Sequence, residues 1–388
     1  MIIRVMLSYH ALEPKRRTLI LTLAFVLLLT LGPACKKQPG SHDQGKPSSA
    51  GMSVRPPPRQ ADLSPMAFAQ ALKRRHRLVG HELGVEGLAF SPDSTLLVSG
   101  SEDKTVKVWD LATGKPKRTF TGHDQWVTAV AYHPQDQLVA SASGDKTLRI
   151  SRVNRKTKAR IIKEHGGVRS VAFGPDGNVL ASAAFGGDIR LWHVGTGDWR
   201  RTLKAHGSDV YALAFSPDGK VLASGGADRK IHLWRISTGK PTRVLEAHTQ
   251  PVRMLAFTPD GASLRSVAAD RTIRTWDVAT GRQVSSVTIT AGTGSAGGTG
   301  GAGQAGQAGG AGQAGGAVRA AALSPDGRIV LAAVGKTALI VDLATGRVLR
   351  RLPASPKPIF TVAFSPDGKT VAYSGADATV HLWSASPR

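Results

Sequence analysis

Cysteine is nearly absent from this chain: Cys35 is the only one in 388 residues. No disulfide framework can be built from it, so the fold must be held by burial and hydrogen bonding. Aromatic residues are sparse at 5%, and none interleave with basic residues in a stripe that could stack nucleic-acid bases. Acidic residues are few. Lys and Arg number 51 against 27 Asp and Glu, a formal net charge of +24. Residues 71–388 alone hold 42 basic and 24 acidic side chains, or +18, so the excess does not reside in a tail. Catalytic signatures are missing too: no Gly-x-Ser-x-Gly elbow, no phosphate loop and no His-Glu-x-x-His pair. One long apolar run occurs, "TLILTLAFVLLLTLGPA" at residues 18–34, and it is short for a helix that must span about 30 Å of hydrocarbon.

What the sequence has in abundance is repetition. "AFSPDG" or a close variant recurs at Pro92, Pro134, Pro175, Pro217, Pro259, Pro325 and Pro366, with gaps of 42, 41, 42, 42, 66 and 41. A fixed period of this size marks a modular repeat fold. In the fourth copy, "DVYALAFSPDG", "KVLASGG", "KIHLWRI" and "PTRVLEAH" follow one another. Short β-rich runs punctuated by Pro-Asp-Gly and Thr-Gly turns predict four antiparallel strands per copy and no helix.

Gly80-His81 with Trp109-Asp110, and Gly122-His123 with Asp145, resemble the GH…WD signature of WD40 repeats. The resemblance covers roughly residues 73–388. It implies an all-β, seven-bladed β-propeller of four-stranded antiparallel blades, with residues 71–388 forming the ring. It also implies a structural tetrad in each blade. Copy one supplies His81, Ser99, Asp103 and Trp109; copy four His206, Ser224, Asp228 and Trp234; copy five His248, Ser266, Asp270 and Trp276. Copy two keeps His123, Ser141 and Asp145 but has Ser151 for Trp. Copy three is expected to use His165, Ser182 and Trp192, with Gly186 in place of Asp. Copy six has Val341 for Trp, and copy seven keeps only Asp377 and Trp383. These His and Asp residues recur at the repeat period, which argues for a structural role, since an active site is needed once. No catalytic residue, metal ligand or cofactor is therefore expected. The last copy stops at its third strand, and "KRRHRLVG" before the first GH is suited to be its fourth, closing the ring without an open edge.

Arg4, Lys15, Arg16 and Arg17 precede the apolar run, and Ala34 and Cys35 end it. A basic stretch, a short apolar stretch and a small residue describe a secretory signal over residues 1–34. With Cys35 next, the segment resembles a bacterial lipoprotein signal, which implies lipidation at Cys35 and, with Lys36 following, the outer membrane or periplasmic side of the envelope. The alternative is an uncleaved anchor with an incidental cysteine. Residues 35–70 are rich in Pro, Ser and Gly and read as a disordered tether. A second low-complexity tract of Ala, Gly, Gln, Thr and Ser fills residues 291–316 between copies five and six. It reads as a tolerated expansion or, alternatively, a flexible lid.

By resemblance, the loops after each GH and the turns between second and third strands share one face of the ring. They place Gln125, Trp126, Lys146, Phe185, Asp209, Arg229, Gln250 and Arg271 there. Aromatics beside arginines suit a protein interface. The expected function is a non-catalytic protein–protein interaction scaffold tethered to a bacterial cell envelope, with an acidic or envelope-located protein partner and a membrane contact through the lipid. Nucleic acid is not an expected partner. The competing readings are an enzyme or small-ligand binder at the channel mouth, and electrostatic adhesion to anionic glycans or lipids.

Overall fold

The computed structural model describes residues 64–204, 206–290 and 316–385. The signal segment, Cys35, most of the tether and nearly all of the 291–316 tract lie outside the described residues. Seven four-stranded sheets follow one another along the chain, and every pairing of neighbouring strands is antiparallel. The protein is a seven-bladed β-propeller. Its inner strands are Val85–Phe90, Val127–Tyr132, Val168–Phe173, Val210–Phe215, Val252–Phe257, Val318–Leu323 and Ile359–Phe364.

The second strand of each blade explains the packing. "LLVSGS", "LVASAS" and "VLASAA" do not alternate, and every residue in them is buried. Each is covered on both faces by neighbouring blades, so small and apolar residues run without a break. Separate apolar clusters fill the seams. Leu78, Val85, Leu97, Trp109, Val380 and Leu382 pack between the last blade and the first. Fully burying each such side chain contributes about 1.5–3 kcal/mol. Outer strands are the opposite: in "KPTRVLE" only Leu245 is buried, so much of the excess Lys and Arg faces outward at the rim. The Pro-Asp-Gly turns need a left-handed residue, and Gly219, Gly261, Gly327 and Gly368 supply it at φ of 68–72°. In the first copy Ser94 takes that conformation at 58°, an uncommon one for a residue with a Cβ.

The ring is closed by Leu72–Val79, which pairs with Thr379–Ala385 from Leu72↔Ala385 to Val79↔Thr379. One expectation needs correction. Composition extends the tether to residue 70, but Pro65–Ala71 is a helix, α1, capped by Ser64, whose hydroxyl accepts from the Ala67 amide. Pro65 at the first helical position is pre-set for it. Tertiary docking decides the matter: Phe68 and Ala69 are buried, and the Arg350 guanidinium donates to the Ala69 and Leu72 carbonyls at 2.7 and 2.8 Å. Among the described residues, no helix is long and apolar enough to cross a membrane.

Candidate functional site

Three sets of recurring polar side chains meet as hydrogen-bonded chains inside their blades. In blade one the Trp109 indole donates to the Ser99 hydroxyl at 2.8 Å, and Ser99 lies 2.7 Å from His81 Nε2. His81 Nδ1 is 2.7 Å from Asp103. The ionised Asp103 carboxylate can only accept, so Nδ1 carries the proton between them, and Nε2 of the neutral ring accepts from the Ser99 hydroxyl. Blade four repeats this with Trp234, Ser224, His206 and Asp228 at 3.0, 2.9 and 2.8 Å. Blade five repeats it with Trp276, Ser266, His248 and Asp270 at 2.9, 2.7 and 3.0 Å. Burial alone would raise the Asp103 and Asp270 carboxyls. Hydrogen bonds from His81 and Thr105, and from His248 and Thr272, outweigh it and hold both well below the usual range. Burial pushes His123 and His206 down despite their aspartates, favouring the neutral ring. Blade two has the same His123–Asp145 and His123–Ser141 contacts, both 2.8 Å, with no indole on the serine.

Blade three corrects the expected His165. His165 is exposed. Glu164, one residue earlier, is fully buried, accepts from the Ser182 hydroxyl and is paired with Arg190, which is itself 9% exposed. Trp192 still donates to Ser182 at 2.8 Å. With Gly186 at the aspartate position, an ion pair replaces the histidine–aspartate pair. The signal was spacing: His81, His123, His206 and His248 each precede their serine by 18 residues, and so does Glu164. In blade seven Ser355 bonds Asp377 at 2.9 Å, and His381 reaches the same carboxylate at 2.9 Å from the third strand.

Among the described residues, one set of groups offers metal-ligand geometry. Atoms of His206, Asp228 and His232 lie within 4.8 Å of one another. Both nitrogens of His206 are already engaged by Asp228 and Ser224, so a cation would have to dismantle the tetrad. Burial, reinforced by neighbouring His206, pushes His232 down to about 4.

The expected interaction residues divide into two groups. Trp126 is 50% exposed and Phe185 39%. Each ring lies on a glycine: a Cβ at Gly144 would sit 2.8 Å from the Trp126 indole nitrogen, and one at Gly167 2.7 Å from Phe185. The same Gly167 position is 3.3 Å from the Gly144 carbonyl, so these glycine floors adjoin across blades two and three. Gln125, Lys146, Arg229 and Gln250 are exposed. Asp209 and Arg271 are tied into the frame instead. The Asp209 carboxylate accepts from the Gly186 amide at 3.1 Å, and the Arg271 guanidinium donates to the Ile289 carbonyl at 2.9 Å. Lys146, Arg229 and Arg271 all hold φ between 64° and 70°, which directs each side chain from the same point of its turn.

Six segments, 72–110, 114–150, 156–193, 197–235, 239–277 and 346–384, match the WD domain, G-beta repeat. Together they cover more than half of the chain. It belongs to the WD40-repeat family. The matches leave out most of blade six, where Ala332 and Val341 occupy the serine and tryptophan positions and Gly335 stands in the turn that holds the aspartate in other blades. Curated WD40 relatives match over single stretches. The chain is 52% identical over 44 residues to Protein Mut11 of Chlamydomonas reinhardtii, covering 11% of this chain and 12% of that one. It is 45% identical over 60 residues to nuclear distribution protein PAC1 of Coprinopsis cinerea, covering 16% and 13%. It is 39% identical over 64 residues to the ribosome biogenesis protein BOP1 homolog of Monosiga brevicollis, covering 16% and 8%. The aligned stretches thus span about a tenth of those relatives' length. The likeness is one of repeat units, and a WD40 propeller fits a protein-interaction scaffold.

Proposed function

We propose that this WD40 propeller is a non-catalytic scaffold that docks an acidic protein through the surface around Trp126 and Phe185. The observation that carries this reading is two large aromatic side chains, exposed on adjoining blades and seated on glycines, with exposed Lys146 two residues past Gly144. Rigid aromatics beside cations supply contact area at low entropic cost and are enriched among interface residues that dominate affinity. The basic surface raises the encounter rate with an acidic partner. The N-terminal resemblance supports a second element of the proposal: lipidation at Cys35 and residence at a bacterial cell envelope, on the outer-membrane or periplasmic side.

Two measurements test these elements separately. Partners captured from detergent-solubilised envelopes are compared between wild type and Trp126→Ala/Phe185→Ala. One protein lost with the variant, while a melting curve shows the ring intact, supports the docking face. The same proteins on both, or only glycan and lipid released by salt, refute it. Cys35→Ser is expected to move the protein from the membrane fraction to the soluble fraction, and retention in the membrane fraction refutes lipid anchoring.

A further inference from the structure

The channel of the propeller is lined by the second residue of each inner strand: Glu86, Thr128, Arg169, Tyr211, Arg253, Arg319 and Phe360. These follow the same gaps as the prolines, and each stands after a buried Val or Ile. The register shows why they point inward. In every blade the pairing slips at this residue, as from Val85↔Ser101 to Gly87↔Gly100 and from Val252↔Ala268 to Met254↔Val267. The extra residue of a β-bulge has its side chain re-aimed. One bulge, repeated seven times, collects seven side chains that differ in chemistry.

Their charges do not balance. Three arginines face one carboxylate, so the ring carries +2 when Glu86 is ionised. Glu86 lies 3.9 Å from Arg169 and 3.5 Å from Arg319, shared between them. Arg253 has no carboxylate among the described residues; it lies 4.2 Å over the Tyr211 ring, and its Nε is buried without an acceptor. Arg319 lies 3.9 Å over Phe360, and Arg169 5.5 Å over Tyr211. The aromatics thus hold the guanidiniums in place through cation–π contact and limit the entropy lost on binding. Thr128 is turned aside, donating to the Val168 carbonyl at 2.6 Å. The cavity is about 580 Å³, within the range of about 300–1,000 Å³ that holds small molecules.

We propose that this channel binds a small ligand carrying two or more negative charges, phosphate or carboxylate, with Arg253 as its principal contact and Arg169 and Arg319 as its flanks. A guanidinium presents paired donors that match the oxygens of either group. A divalent anion would cancel the +2 left by the ring. Glu86 competes with the ligand for the flanking arginines, which gives the site a charge of its own to be displaced. This site is separate from the docking face around Trp126 and does not depend on it.

Calorimetric titration of the full-length protein with pyrophosphate and with citrate, each against sodium chloride at matched ionic strength, tests the proposal. Saturable binding of either probe is expected, and the tighter of the two identifies the preferred oxyanion. Arg253→Gln is expected to weaken it by about tenfold or more, the scale of losing a buried charged contact. Arg235→Gln, which removes the same charge from an exposed position, is expected to leave it unchanged. Glu86→Gln is expected to tighten it several-fold, a gain that a misfolded protein could not show. No saturable binding, heat reproduced by sodium chloride, equal losses in Arg253→Gln and Arg235→Gln, or weakening in Glu86→Gln would each overturn it.

Discussion

Replacing Glu164 by Gln isolates the charge that blade three uses in place of a histidine. The amide keeps the shape of the carboxylate and can still accept from Ser182. It removes the partner of Arg190, whose side chain is only 9% exposed. Breaking a buried pair from one side costs about 3–5 kcal/mol, because an uncompensated charge is left behind. Asp188, half-exposed and 3.9 Å from the same guanidinium, returns up to about 1 kcal/mol. The expected loss is therefore about 2–4 kcal/mol, read as a lower urea midpoint by tryptophan fluorescence. Arg190→Met is expected to lose a similar amount, since Glu164 then keeps only a hydroxyl. Glu164→Leu/Arg190→Met removes both charges and leaves Ser182 without its acceptor, a cost of about 1 kcal/mol. The double variant is thus expected to be more stable than either single. Additive losses, or a Glu164→Gln midpoint equal to wild type, would refute the view that this pair is a coupled replacement for the tetrad.

Three further outcomes follow from the same geometry. His232 titrates at about 4 when folded and near 6.5 when unfolded, so the unfolded chain takes up its proton first. Its contribution is complete above pH 6.5 and is lost as pH falls toward 4; His232→Phe should flatten the decline of the urea midpoint over that window, and an unchanged slope counts against it. Ser99→Ala removes the group that joins Trp109 to His81 and should cost about 1–3 kcal/mol, whereas Ser141→Ala in blade two, with no indole to strand, should cost less; equal midpoint shifts contradict this. Deleting residues 64–79 leaves the Thr379–Ala385 edge unpaired and should give aggregation in size-exclusion chromatography, with an unaltered monomer peak and melting curve as the contrary result.

The ring was legible in the sequence because its signals are local and recur. A proline every 42 residues or so gives the blade count, and "KRRHRLVG" before the first Gly-His reads as a strand, the one that pairs with Thr379–Ala385 to close the ring. Tetrads were legible wherever residue type and spacing agree, as at His81 with Ser99. They parted at Glu164, where the histidine next door drew the assignment although the spacing of 18 pointed to the glutamate. Helix α1 was hidden for a different reason. Ser64-Pro65 is a start signal, but seven residues do not hold a helix in water by themselves, and burial of Phe68 against a blade distant in sequence stabilises it. The ends of the top-face prediction parted in the same way: exposure of Trp126 follows from its loop, while Arg271 is drawn to the Ile289 carbonyl by packing that no spacing records.

A chain made of near-copies confines novelty to positions where a side chain can change without disturbing the frame. The tetrads cannot serve, since each is buried and fully bonded in its blade. Nor can the second strands, covered on both faces. The bulge residue of the inner strand is different. Its valine or isoleucine neighbour anchors the seam, the slip in register leaves it unpaired, and its side chain enters the channel. Within one chain this position is Glu, Thr, Arg, Tyr, Arg, Arg and Phe, while the residue before it is Val six times and Ile once. The turns between second and third strands have similar latitude, with Glu102, Gly144, Phe185, Ala227 and Ala269 at matching places. The fold thus separates a repeated frame from two non-repeating surfaces, the channel wall and the loop face. Those surfaces are where a ligand or partner can tell one blade from the next.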